Sequence, residues 1–285
     1  MRESLGDRIF SYMTYIILTI IAFATAFPMY YVLAVSFTDP NTYLTSDFVL
    51  FPKKVSLESY QYLLGTSAFP RATGISALVT LLGTPIELAV TSSIAYALSR
   101  KRLVGRKALT MGILFTMLFS AGFIPNFLLI KNLGLMNSIW ALILPVASSG
   151  WNVILMRSFF ESIPESLEEA AVIDGCNDIA VWLKIMLPLS LPALAAFGLF
   201  AAVALWNTYM AGLFYMTDYK KYPLQVLLRN MLNQPVMESE NASIPPPKET
   251  LKMAAVVITI APIVMVYPFL QKHFAKGVML GSVKG

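Results

Sequence analysis

Long stretches without charge constrain the fold of this 285-residue chain more than any other feature. Five stretches contain no Asp, Glu, Lys or Arg, and a sixth contains only Glu87. A helix needs about 20 mainly apolar residues to cross the hydrocarbon core of a bilayer, and each stretch is about that long or longer. We therefore predict an all-α integral membrane fold with six transmembrane helices. The predicted spans are residues 9–38, 72–99, 108–130, 132–156, 185–217 and 253–271.

The composition also favours a membrane protein over a soluble one. Apolar residues make up 57% of the chain and charged residues 13%, whereas soluble domains contain about half and about a quarter. The sequence shows no internal repeat and no segment with the composition of a soluble domain. We therefore predict a single transmembrane domain over residues 1–285.

The net charge of +5 reflects a local cluster and does not indicate a nucleic-acid partner. Five of the 21 basic residues lie in one short loop between the second and third predicted spans. Short cytoplasmic loops favour Lys and Arg, so we place this loop in the cytoplasm, and both chain termini with it. The five residues are Arg100, Lys101, Arg102, Arg106 and Lys107.

The scarcity of cysteine and histidine excludes several kinds of site. One cysteine, Cys176, cannot form a disulfide within the chain, and one histidine, His273, cannot build a histidine cluster for zinc. We therefore predict no metal site. The sequence also lacks the phosphate-binding pattern GxxxxGK[ST], so any ATP hydrolysis must occur in a partner protein.

The inner loop between the fourth and fifth predicted spans, residues 157–188, concentrates acidic side chains in an otherwise apolar chain. Six of the 16 acidic residues lie in an 18-residue stretch of this loop, residues 161–178. Composition alone is also compatible with a solvated amphipathic loop of no special function. The six are Glu161, Glu165, Glu168, Glu169, Asp174 and Asp178.

Helix start and stop signals predict the structure of this inner loop. Ser162 and Glu165 have the spacing of a capping box, which begins a helix. Gly175 suits the left-handed residue that ends one, and Asn177 or Asp178 can cap a second helix. We predict two short helices, bent at Gly175 and lying outside the bilayer.

The spacing within the loop resembles the EAA loop of permeases from ATP-binding-cassette importers. Glu169-Ala170-Ala171 is followed after three residues by Gly175, after nine more by Ile185, and after one more by Leu187-Pro188. In that family the loop is a pair of coupling helices that docks into a groove on the cytoplasmic ATPase. The resemblance implies that the carboxylates form a docking surface for a basic partner. The coupling residues it implies are Glu168, Glu169, Ala170, Ala171, Ile173, Asp174, Gly175, Ile185, Leu187 and Pro188.

Further segments resemble the carbohydrate branch of these importers, in particular the second permease of maltose-type pairs. They are AYALSR at 95–100, residues 152–175, WNTY at 206–209 and the tail at 267–285. The resemblance narrows to the branch that handles polysaccharides or complex oligosaccharides, which includes alginate-type polymers. It implies a multi-pass protein of the bacterial cytoplasmic (inner) membrane that is a transport subunit without an ATPase site of its own.

The same resemblance implies the partners. They are a second homologous permease chain, two cytoplasmic ATPase subunits, an external solute-binding protein and the lipid bilayer. ATP and Mg would be bound by the ATPases, and this chain would bind no cofactor. The outer loop at 218–252 would probe the binding protein, with a passive linker as the alternative. In the tail, Lys272, His273 and Lys276 would contact the ATPases.

Polar residues within the predicted spans are the candidates for contact with the substrate. Glu87 lies mid-span, where charged groups face the bundle or a water-filled path and find a partner. It either hydrogen-bonds a neighbouring helix or contacts substrate or protons. Trp206, Asn207, Thr208 and Tyr209 suit sugar binding, but they can equally pack at the interface between the two permease chains.

Three other functions remain open at this point. The EAA spacing is shared by importers of other solutes, such as peptides. An ion-coupled secondary transporter would need ionisable groups within the membrane or broken inverted repeats, and Glu87 is the one such group in the sequence. A membrane scaffold or receptor without transport activity is the third alternative.

Overall fold

The computed structural model describes residues 5–46, 48–233 and 248–281, and beyond residue 266 it describes the backbone alone. Within these ranges the backbone is mainly helical, and its β structure is limited to one isolated antiparallel bridge between Thr38 and Val55. The α-helices are α1 (Leu5–Ser36), α2 (Pro40–Leu44), α3 (Glu58–Gly65), α4 (Ala68–Ser99), α5 (Arg106–Leu118), α6 (Phe123–Asn132), α7 (Trp140–Ile143), α8 (Gly150–Ser162), α9 (Glu165–Ile173), α10 (Asp178–Val181), α11 (Leu187–Leu189), α12 (Leu191–Trp206), α13 (Met210–Tyr215), α14 (Leu224–Asn233) and α15 (Lys248–Gly281). A π-helical segment, Trp182–Met186, joins α10 to α11, and 3₁₀ segments lie at Leu144–Val146 after α7 and at Tyr219–Lys221.

Three of these helices contain unbroken segments that are long and apolar enough to cross a membrane. They are Phe10–Ser36 in α1, Ala68–Ser99 in α4 and Glu249–Val266 in α15. Prolines inside α1 and α4, Pro28 and Pro85, do not interrupt them. These helices correspond to the first, second and sixth predicted spans.

The other three predicted spans are bent pairs of helices in the structure. The pair Arg106–Leu118 and Phe123–Asn132 is bent by 112°, and the pair Trp140–Val146 and Gly150–Ser162 by 51°. The pair Asp178–Leu189 and Leu191–Trp206 is bent by 84°. By length and composition the structure therefore supplies three spans, or six if each bent pair counts as one.

The boundaries predicted for the fifth span, 185–217, differ from the observed helix at both ends. The chain turns at Ser190, and α12 ends at Trp206, with a separate short helix, α13, following it. Pro192 explains the first break, because it lacks the N–H that would continue the helical hydrogen bonds across the bend. Hydropathy did not reveal these bends because the segments on both sides are apolar.

The chain divides into two compact units, Met1–Pro70 with Leu228–Ala261 and Arg71–Leu227 with Pro262–Gly285. In the first unit, α1 exposes apolar side chains along most of its length. Asp39 caps α2 by accepting a hydrogen bond from the Thr42 N–H (3.2 Å) and pairs with Lys54 (3.2 Å). The hydrogen bond from the Thr42 hydroxyl is the main cause that lowers the pKa of Asp39 below its ordinary value.

The second unit contains an apolar core that joins the end of α4, helix α8 and the segment after α8. The rings of Tyr96 and Phe160 pack edge to face with their centroids 6.2 Å apart. Where such side chains would otherwise contact water, their burial is the main contribution to the stability of this core. The buried members of this core are Ala95, Tyr96, Leu98, Val153, Met156, Phe160, Ala171, Val181 and Met186.

Another apolar core of the second unit lies around α7. Leu142 and Ile143 are fully buried there, together with Leu205 of α12 and Tyr215 of α13. Gly83 of α4 allows the close approach of α12, since a Cβ at this glycine would lie 2.7 Å from a methyl carbon of Leu205. This contact fixes α12 against α4.

Candidate functional site

The segment from Glu165 to Leu189 forms two helical pieces separated by a tight turn, as predicted. Helix α9 ends at Ile173, and Gly175 has a φ of +85°, in the left-handed region. A Cβ at Gly175 would meet nothing within 4 Å, so the backbone conformation requires glycine here and packing does not. The Asn177 side-chain oxygen accepts a hydrogen bond from the Ala180 N–H (2.8 Å) and so caps α10.

The predicted capping box at the start of α9 is not formed. Pro164 occupies the cap position and has no side-chain oxygen to offer. The Ser162 hydroxyl instead donates to the Phe159 carbonyl (2.6 Å) at the end of α8. The box failed because α8 extends to Ser162, which is therefore still helical.

Most of the acidic side chains of the loop face basic side chains of the same chain. Glu168 is buried, with 6% of its surface exposed, and forms ion pairs with Arg100 and with Arg102 (2.9 Å). Both arginines belong to the basic loop that follows α4. We call this group, Glu168 with Arg100 and Arg102, the arginine clamp.

Exposed ion pairs surround the arginine clamp. Lys101 pairs with Glu165 (2.9 Å), Arg102 also pairs with Asp178, and Glu161 pairs with both Arg106 and Arg157. The hydrogen bond from Lys101 is the main cause that lowers the pKa of Glu165 below its ordinary value.

Four of the six clustered carboxylates therefore neutralise the chain's own basic loop. The interpretation that they are gathered to bind a basic partner did not anticipate this pairing. Within the part of the chain that the structure describes, Glu169 and Asp174 form no ion pair, and both are exposed.

The solvent side of α9 has a different character. Ile173 lies four residues after Glu169 and three after Ala170, so it neighbours both on the helix surface, and all three side chains are exposed. Ile173 is 85% exposed although its side chain is large and apolar. We call Glu169, Ala170 and Ile173 the outward face.

The two alanines of the EAA pattern separate between the two sides of α9. Ala170 belongs to the outward face, whereas Ala171 is buried in the core beneath the helix. Ile185 and Leu187 pack partly buried against the same core, and Pro188 is exposed in the first turn of α11. Ala171 is thus buried in this core, and Ile185 and Leu187 pack partly against it.

The carboxylate of Glu87 has a partner on a neighbouring helix. The Asn152 side-chain amide of α8 donates a hydrogen bond to it (3.0 Å), and Glu87 is buried. This contact is the hydrogen bond to a neighbouring helix that one interpretation of Glu87 predicted. The other, contact with substrate or protons, stays a prediction.

The WNTY segment forms the end of α12 and the link to α13. Trp206 is buried, and the Asn207 amide is engaged within the protein: it donates to the Val203 carbonyl (2.9 Å) and accepts from Gln225 (2.9 Å). Thr208 donates to the Ala204 carbonyl (3.4 Å), and Tyr209 precedes α13, half-buried.

Two groups of predicted residues lie partly or wholly outside the structure's description. The backbone of Lys272, His273 and Lys276 is helical, but their side chains are outside the described part. Of the outer loop 218–252, residues 234–247 lie outside the described ranges, and α14 forms much of the remainder.

Asn137 is a structural residue that the sequence analysis missed. It has a φ of +59°, and its side-chain oxygen accepts from the Thr217 N–H (2.7 Å) and the Asp218 N–H (3.0 Å). Its carbonyl accepts from Lys221 (2.8 Å). Asn tolerates the left-handed region better than most residues, and the turn after Gly134 was the available signal.

The similarity of this chain to known proteins identifies its family. The sequence model of one protein family, described as the binding-protein-dependent transport system inner membrane component, matches residues 88–280. The chain belongs to this family. It is a multi-pass inner-membrane permease component, which confirms the predicted recognition and localisation, and the all-helical membrane-permease fold is confirmed with them.

Individual relatives of this permease cover its full length. The polygalacturonan/rhamnogalacturonan transport system permease protein YtcP of Bacillus subtilis is 45% identical, covering 98% of this chain and 99% of that protein. The trehalose/maltose transport system permease protein MalG of Thermococcus litoralis is 31% identical and covers both chains completely. A crystal structure of a bacterial transporter that imports the acidic polysaccharide alginate contains a chain with 33% identity and a TM-score of 0.91, covering 96% of this permease and 99% of that chain.

Proposed function

We propose that this permease is the transmembrane subunit of an ATP-driven importer of acidic polysaccharides or of oligosaccharides derived from them. The observation that carries the proposal is its full-length similarity to permeases of polygalacturonan/rhamnogalacturonan and alginate transporters. All three polymers contain sugars with carboxylate groups. The similarity to a trehalose/maltose permease supports the broader class of carbohydrate import.

The proposed membrane topology has six spans, with each bent helix pair counted as one. The ion pairs between the loop after α4 and the α9–α10 segment support a common side of the membrane for both loops. Because the first of these loops carries the basic cluster, we assign that side, and both termini, to the cytoplasm.

The proposed assembly contains a second permease chain, two cytoplasmic ATPases and an external solute-binding protein. ATP and Mg would be bound by the ATPases, because this sequence has no phosphate-binding loop. Closure of the ATPases would move the α9–α10 segment and shift the spans between inward-open and outward-open states.

We assign contact with the ATPase to the outward face of α9 and to Asp174 beside it. Exposed apolar side chains contribute to binding when a partner covers them, since this removes their surface from water. Ile173, Val172 and Ile179 are the exposed large apolar side chains close to the Gly175 turn. An exposed charge pair contributes only about 0–1 kcal/mol, so Ile173 should contribute more to docking than Glu169.

We assign transmission of the movement to the arginine clamp. Glu168 lies on α9, whereas Arg100 directly follows α4, a helix that crosses the membrane. Removing one partner of a buried ion pair typically costs about 3–5 kcal/mol, so the clamp holds α9 firmly against the end of α4. A push on the outward face would then move α4 together with α9.

The decisive experiment uses the complete transporter, purified with its partner chains and reconstituted in lipid nanodiscs. ATPase activity is measured with the binding protein and an oligogalacturonide, a maltooligosaccharide or an oligopeptide. We expect the acidic oligosaccharide to stimulate hydrolysis at least about tenfold more than the others, a difference of about 1.4 kcal/mol. Stimulation by the neutral sugar or the peptide would overturn the proposed substrate class. Failure of any ATPase to copurify would overturn the proposed assembly.

A further inference from the structure

The segment at residues 48–51, which follows α2, exposes large apolar side chains outside any transmembrane helix. Phe48 is 59% exposed, Leu50 45% and Phe51 69%. Val49 between them is buried and holds the segment on the protein. Three large apolar side chains in four residues form a surface that would be unfavourable in water.

This segment packs against the membrane-spanning helix α1. The ring of Phe48 stacks on Tyr31 with centroids 5.3 Å apart, and Phe51 meets Tyr30 edge to face at 6.0 Å. The Tyr30 hydroxyl donates a hydrogen bond to the Leu50 carbonyl (2.7 Å). The Leu50 carbonyl therefore has a hydrogen-bond donor within the protein. Non-helical backbone close to lipid needs such donors, because lipid supplies none.

The depth of this contact follows from helix geometry. The apolar part of α1, Phe10–Ser36, has 27 residues. At a rise of about 1.5 Å per residue it is about 40 Å long, close to the full thickness of a bilayer including its headgroups. Tyr30 lies six residues before the end of α1, about 9 Å along the axis. Because the headgroup layer on each side is about 5–7 Å thick, this position lies just inside the boundary between headgroups and hydrocarbon, close to the region where tyrosines concentrate.

We propose that residues 48–51, together with Tyr30 and Tyr31, form an aromatic anchor that contacts lipid at one membrane surface. The segment returns along α1 and places Phe48, Leu50 and Phe51 in the interfacial layer. Lipid is the occupant that the observations favour, because the surface is continuous with the apolar, exposed side of a spanning helix. This inference does not depend on the substrate or the ATPase partner of the transporter.

Spin labelling of the complete transporter in liposomes tests the anchor. The native cysteine is replaced (Cys176→Ala), and single labels are placed by Phe51→Cys, by Ile20→Cys in the middle of α1 as the lipid control, and by Lys53→Cys as the water control. Accessibility of each label to oxygen, which partitions into lipid, and to a water-soluble nickel complex is measured by electron paramagnetic resonance.

We expect the label at residue 51 to favour oxygen over nickel, like the label at 20, but at a shallower depth. The label at 53 should favour nickel. High nickel accessibility at 51 would place the segment in water and overturn the proposal. Protection of 51 from both reagents would mean that another protein chain covers the segment, and would overturn it equally.

Discussion

Two adjacent carboxylates of helix α9 differ sharply in their surroundings. Glu168 is buried against two arginines, whereas Glu169 lies on the exposed outward face beside Ile173. Consecutive side chains on a helix point about 100° apart. This difference is enough for one side chain to face the protein and the next to face solvent. The two neighbouring carboxylates therefore differ in what they can contact. Glu168 ties α9 to the arginines that follow α4, whereas the side chain of Glu169 is exposed to solvent.

The largest expected effect concerns Glu168. Glu168→Gln should destabilise the protein by about 3 kcal/mol, because Arg100, whose side chain is only 13% exposed, would lose its charge partner. Glu169→Gln, the matched control, should change stability by no more than about 0.5 kcal/mol. Thermal unfolding of the detergent-purified protein measures both. Equal effects of the two substitutions would contradict the difference between the two faces.

A charge exchange sharpens the same comparison. The double variant Glu168→Arg with Arg100→Glu should recover part of the stability that either single change loses. A double-mutant cycle isolates this pairwise contribution. Purely additive losses would show that the two residues do not act as a pair.

The next effect concerns the turn at Gly175. Gly175→Leu should cost about 1–3 kcal/mol locally, because a side chain is strained at this φ, and it should abolish substrate-stimulated ATPase activity while membrane insertion persists. Gly105→Leu is the matched control, since Gly105 also has a positive φ (+76°) and an added Cβ there would meet nothing within 4 Å. Normal coupling in the Gly175 variant would remove this turn from the mechanism.

A smaller effect on stability, but a clear one on function, is expected at the outward face. Ile173→Glu should leave the unfolding temperature unchanged, because the side chain is already exposed, and should lower substrate-stimulated ATPase activity at least about tenfold, or about 1.4 kcal/mol. Ile173→Leu should keep most of the activity, as it preserves the apolar surface. Retained activity in the Glu variant would show that the ATPase docks elsewhere.

The smallest effect concerns the exposed pair of Lys101 and Glu165. The lowered pKa of Glu165 means that the folded state favours the carboxylate, so the pair stabilises the fold at neutral pH. This contribution is present above the ordinary pKa of glutamate and is lost as the pH falls through the lowered value. Lys101→Gln should return the pKa of Glu165 towards its ordinary value, as measured by carboxyl-carbon NMR. An unchanged pKa would show that Lys101 is not its cause.

Parts of the coupling segment were predictable because their signals are local. Gly175 and Asn177 act through their own backbone conformation and a hydrogen bond three residues away, so the two-helix arrangement followed from the sequence. The capping box was wrong because its outcome depended on where α8 ended. The position of Ala171 in the core was also missed, since the pattern alone does not show which side of α9 meets the protein.

The sequence by itself determined that the chain crosses a membrane and where its apolar segments lie, because a bilayer selects on length and charge alone. It also determined the turn at Gly175. Only the tertiary structure decided that Glu168 is paired and Glu169 is not, because the arginines that pair with Glu168 lie 66 and 68 residues earlier in the chain. Ion pairing depends on distance in space, and that distance is set by how α4 and α9 pack together.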